Sequence, residues 1–137
     1  MDALLLSLLA WLDHNTDYDT RVELPNIVIT EQGNMCHTFG IIEKGACTAT
    51  RLKGFYNKNM TIYLNANFNQ EDTNHQSWLI HELVHYVQWH NGRDQRECWG
   101  RLEAEAYTLQ DEWRAEHQVA GMTDPFKLIM LKATCDS

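Results

Sequence analysis

From Ser77 to Asn91 the chain carries neither Gly nor Pro, and His81-Glu82-Leu83-Val84-His85 stands in the middle of that stretch. Residues four apart lie one above the other on a helix. A helix here therefore points the imidazoles of His81 and His85 at one place. Glu82 lies about 100° round from His81, beside that place without entering it. HExxH in this form offers two zinc ligands and a general base within one turn. The flanks support a helix. Asp72, Thr73 and Asn74 offer capping oxygens, Glu71 and Asp72 put negative charge near the positive end of the dipole, and Asn91-Gly92 is a stop. Trp78, Ile80, Leu83, Val84 and Val87 make a broad apolar surface, so the helix should be largely buried. A carboxylate and two imidazoles there need partners, and a bound cation supplies one.

Two histidines need a third protein ligand, with a fourth position left for water. The metzincin pattern HExxHxxGxxH requires Gly at 88 and His at 91, where this chain has Gln88 and Asn91, so that subtype is excluded. His90 lies about 140° round the helix from His85 and points elsewhere. The remaining source is an acidic residue on the next helix, where residues 103–106 read Glu103-Ala104-Glu105-Ala106.

On these residues the chain resembles the gluzincin group of zinc peptidases, which carry HExxH on one helix and a Glu in an ExxA stretch on the next. The resemblance puts Glu103 in the ligand position. Glu105, about 200° away on a helix, is the alternative, and only one of the two is expected to ligate. The small alanines let two helices approach closely enough to share an ion. Where the group often has an acidic residue four positions on, orienting a histidine, this chain has Tyr107, with Asp111 a turn further. A phenol is the weaker acceptor, which weakens the step from zinc binding to catalysis. The resemblance reaches upstream over residues 60–65, which alternate as a strand, and in the group an edge strand here forms the upper lip of a substrate cleft. Asn65-Ala66-Asn67 would continue that lip.

The remainder of the chain sets the frame. At 137 residues and 44% hydrophobic content, residues 1–137 read as one domain with a real core. A net charge of −8 argues against nucleic acid as partner. Residues 3–12 are almost wholly apolar but too few to span a bilayer, and no Lys or Arg precedes Arg21. A buried N-terminal helix ending near Asp13–Asn15 is expected, in a cytoplasmic protein, with secretion or association with a virion left open. Residues 26–30 read as a strand, residues 36–51 as a hairpin around Glu43-Lys44-Gly45, and residues 124–132 as a closing helix with Pro125 in its first turn. The expected fold is α+β and zincin-like: N-terminal helix, short antiparallel or mixed sheet, the HExxH helix, then a second ligand-bearing helix. Cys36, Cys47, Cys98 and Cys135 form no CxxC pair and allow three disulfide pairings, or free thiols.

Together these readings lead to a zinc metallopeptidase acting on a peptide or protein. The resemblance assigns Zn²⁺ to His81, His85 and Glu103, with Glu82 as the base. Tyr63, Tyr107, His90 and His117 are candidates to donate to the oxyanion. The alternative is a zinc-holding domain of the same fold that cleaves nothing and serves as a sensor or accessory protein.

Overall fold

The computed structural model describes residues 1–31, 54–57 and 60–135. The hairpin expected over residues 36–51, with Cys36 and Cys47, lies outside them. Helix α1 runs Asp2–Asn15. Strands β1 (Asn26–Thr30), β2 (Gly54–Asn57) and β3 (Thr61–Asn65) follow. Then come α2 (Thr73–His90), a single 3₁₀ turn at Arg93–Gln95, α3 (Trp99–Glu116) and α4 (Pro125–Ala133). The α+β class is as expected.

The N-terminal apolar run is a helix that ends where its sequence suggests. It buries one face rather than its whole surface: Leu5, Leu8, Leu9 and Leu12, spaced for one side of a helix, are buried, while Leu6 is 57% exposed. Each fully buried leucine contributes about 1.5–3 kcal/mol.

The sheet is mixed, in the order β1-β3-β2. β1 pairs with β3 in parallel, Ile27 opposite Ile62, and β2 pairs with β3 antiparallel, Tyr56 opposite Ile62. Residues 61–65 are thus the central strand, not the edge strand that the gluzincin resemblance implies. Both hydrogen-bonding edges of β3 are used, so it has none left for a peptide. Ile62 and Leu64 are buried, as the inner face of a central strand requires. Asn65-Ala66-Asn67 is a tight turn, not a lip: Phe68 N–H donates to Asn65 O at 2.8 Å and Asn67 N–H to Asn65 Oδ1 at 3.3 Å.

α2 is the centre of the molecule, packed against α1, the sheet and α3. Asp72 caps it, its carboxylate accepting from Asn74 N–H at 2.8 Å and His75 N–H at 3.3 Å. Gly92 ends it with φ +71°, the left-handed conformation that glycine adopts most easily. Leu79, Ile80, Leu83, Val84, Tyr86 and Val87 are all buried, so this helix touches protein on nearly every side.

α4 has Asp124 at its cap and Pro125 in its first turn, as its sequence indicates. It lies along α3, joined at one end by a Cys98–Cys135 disulfide. Beside the disulfide α3 presents Gly100, where a Cβ would run into the backbone oxygen of Leu131 and Thr134 Oγ1. A carbonyl inside a helix cannot move aside as a side-chain end can. Gly100→Ala is expected to cost about 2–3 kcal/mol, in the upper part of the overpacking range, read from the urea midpoint at unchanged slope. No helix among the described residues is long and apolar enough to cross a membrane.

Candidate metal centre

His81 and His85 project from α2 toward α3, where Glu103 meets them. Glu103 Oε1 lies 2.7 Å from His81 Nε2 and 3.0 Å from His85 Nε2. The three offer one ligand atom each, and these atoms lie within 4.8 Å of one another, so they can hold a metal ion. Both histidines are buried and Glu103 is partly so. Close approach of α2 and α3 is helped by Ala104 and Ala106, fully buried on α3.

The other nitrogen of each ring is held by a glutamine. His81 Nδ1 lies 2.9 Å from Gln110 Oε1, and His85 Nδ1 lies 2.8 Å from Gln88 Oε1. Both glutamines are buried and their surroundings fix which way each amide points. Gln88 Nε2 faces two acceptors, Leu102 O and Glu105 Oε1, each at 3.0 Å. Gln110 Nε2 faces Met122 Sδ at 3.3 Å and Ser77 Oγ at 3.5 Å. Ser77 Oγ–H donates to Asn74 O at 2.6 Å, so it offers Gln110 only lone pairs. The amide oxygens therefore face the rings, and both imidazoles carry their proton on Nδ1.

This tautomer has a consequence for Nε2. Two nitrogen lone pairs and a carboxylate oxygen converge on one point, and they repel unless a cation or an extra proton lies between them. Burial pulls His81 toward its neutral form. The bond to Glu103, the charges of Glu82 and Glu103, and the bond to Gln110 outweigh it, and His81 is held above its ordinary value. Burial likewise pushes Glu103 up, but the two histidines more than offset this, and its carboxyl stays well below the usual carboxylate range. Glu103 is accordingly an anion wherever His81 titrates.

Glu82 sits on the same turn of α2, half-buried, close enough for its charge to act on His81. Trp99 stacks on His85 with centroids 4.6 Å apart although it is 59% exposed, and so forms an outer wall. Tyr107 packs its ring against His81 at 4.5 Å, and Lys127 of α4 places its ammonium 4.1 Å over the Tyr107 ring.

The structure also separates residues that the sequence left together. Glu105 turns away from the cluster: its carboxylate accepts from the Tyr18 hydroxyl and from Gln88. Tyr107 does not orient His81 through its hydroxyl, because Gln110 occupies Nδ1. Asp111 instead braces the loop before α4, accepting from Met122 N–H at 3.0 Å and Thr123 N–H at 3.1 Å. His90 lies on the exposed side of α2 with its ring against Tyr86 and Trp89. His117 stacks on Trp113 near the far end of α3. Of the four oxyanion candidates, only Tyr107 has its ring against that of a cluster histidine. Gln88 and Gln110 were not anticipated. Their signal was spacing: Gln88 is one turn past His85, and Gln110 is two turns past Glu103 on the same stripe of α3.

No curated protein and no solved structure matches the chain. One family model, described as "Domain of unknown function (DUF6647)", matches residues 1–137. Matched over that whole length, the chain belongs to the DUF6647 family.

Proposed function

We propose that this protein is a zinc-dependent metallopeptidase. The observation that carries the reading is the convergence of His81 Nε2, His85 Nε2 and Glu103 Oε1, with both Nδ1 protons taken by glutamines. Two imidazoles and one carboxylate are a donor set suited to zinc, and three protein ligands leave a place for water, as in a catalytic site. An ion there supplies Lewis acidity and lowers the pKa of a water to about 7. The remaining chemistry belongs to the chain. Glu82, beside the cluster but outside it, takes the proton of the attacking water and returns it to the leaving amine. Gln88 and Gln110 keep the ring lone pairs aimed inward. Tyr107, against His81 and under the Lys127 ammonium, is the phenol best situated to donate to the developing oxyanion. Among the described residues β2 is an edge strand packed against α2 and is the edge we assign to an extended peptide.

A second reading, a zinc-holding domain that does not cleave, is favoured by one feature. The histidines are oriented by amides, weaker acceptors than carboxylates. Elemental analysis of protein purified without chelator, with digestion of a mixed peptide library, separates the two. Zinc with cleavage supports the peptidase, and zinc without cleavage supports the second reading.

The raised His81 pKa gives metal binding a pH dependence of known sign. The protonated ring dominates below that pKa and cannot ligate, so affinity is full above it and is lost as pH falls through it. Zinc affinity, measured by competition between about pH 5 and 8, is expected to fall by about tenfold per pH unit for each proton the metal must displace. A flat profile contradicts histidine ligation.

A further inference from the structure

On α3, Glu105 lies about 200° round from Glu103. There it lines a cleft of about 1050 Å³, together with Tyr18 and Arg93. A run of hydrogen bonds leads from this cleft to the metal centre. Arg93 Nη1 donates to Tyr18 Oη at 2.8 Å, and Tyr18 donates to Glu105 Oε1. Gln88 Nε2 donates to the same carboxylate oxygen at 3.0 Å, and Gln88 Oε1 accepts from His85 Nδ1 at 2.8 Å.

We infer that Glu105 is a positioning residue for His85, acting through Gln88, and that the wall of the outer cleft thereby sets the metal affinity of the inner site. Gln88 Nε2 meets two acceptors that donate nothing, Leu102 O and the Glu105 carboxylate, so the amide has one orientation, and of the two only Glu105 brings a charge. Its negative charge also polarises the amide and strengthens Gln88 Oε1 as an acceptor for the His85 proton, as bonds in a connected chain do. A ring that shares its Nδ1 proton more fully is the better donor at Nε2. Tyr18 and Arg93 hold the carboxylate in place from the cleft side. Burial and the bond to Glu105 push the Tyr18 hydroxyl well up, so it remains a donor.

The consequence for metal affinity rests on the zinc reading, whereas the consequence for the His85 tautomer does not. Glu105→Gln keeps the shape and removes the charge. In metal-free protein labelled with ¹⁵N, His85 is expected to carry its proton on Nδ1 in the parent and to gain a population protonated on Nε2 in Glu105→Gln. Zinc affinity should fall by about 10- to 100-fold, with the thermal midpoint of the metal-free protein little changed. Tyr18→Phe should act in the same direction by about three- to tenfold. An unchanged His85 tautomer in Glu105→Gln overturns the inference whatever the metal result. A loss of affinity accompanied by a lower thermal midpoint of the metal-free protein overturns it in favour of simple packing. Failure of the parent to bind zinc sinks the metal reading and, with it, the affinity claim. The tautomer shift alone then supports the positioning role.

Discussion

Glu82→Gln is expected to bind zinc as the parent does and to cleave peptides at least about 10²- to 10⁴-fold more slowly, the range a positioned general base contributes. The amide fills the same space on α2, so the helix and the His81–His85–Glu103 cluster should be undisturbed. It has no lone pair basic enough to take a proton from water. The His81 pKa should also drop somewhat, since the charge of Glu82 helps to hold it up. Comparable kcat/KM in the two proteins removes Glu82 from the mechanism. Loss of zinc in the variant places Glu82 among the ligands, contrary to its position on the helix.

The second large effect is at Glu103. Glu103→Ala removes the only carboxylate within hydrogen-bonding distance of both Nε2 atoms among the described residues. Two histidines alone make a weak and open site. Zinc affinity should fall by at least about 100-fold, more than for a residue that only orients a ligand. Stability without metal should change in the same variant for a separate reason. His81 loses the anion that helps to hold its pKa above the ordinary value, so the metal-free variant forgoes the stability that the raised pKa contributes at low pH. Glu105→Ala serves as the contrast. It leaves all three ligand atoms in place and is expected to weaken zinc binding without abolishing it.

Much of this was legible in the chain because each feature had a local physical cause. Asp72, and Asn91 with Gly92, mark the ends of α2, and Asp124 with Pro125 opens α4. His81 and His85 share a face through the helical repeat alone. The helical repeat put Glu103 and Glu105 on opposite sides of α3 and so made them alternatives, and packing decides that Glu103 faces the histidines and Glu105 faces Tyr18. What was hidden depends on partners distant in sequence. β3 is central because residues 26–30 return beside it in parallel, a crossover that no local pattern encodes. Gln88 and Gln110 have no chemical signature of their own, and only the arrival of Glu105, Leu102, Ser77 and Met122 around them turns their oxygens toward the histidines. Cys98–Cys135 was one of the pairings the four cysteines allowed, and it is selected because α4 runs back along α3 to its start.

The ion proposed for this protein sits among His81, His85 and Glu103. Diffraction from crystals of protein purified without chelator, collected on either side of the zinc absorption edge, tests it most directly. One anomalous peak is expected, present above the edge and absent below it, within about 2.0–2.2 Å of His81 Nε2, His85 Nε2 and a Glu103 oxygen. A well-ordered site with no peak, and with the two Nε2 atoms still in hydrogen-bonding distance of Glu103 after soaking with zinc, would contradict it.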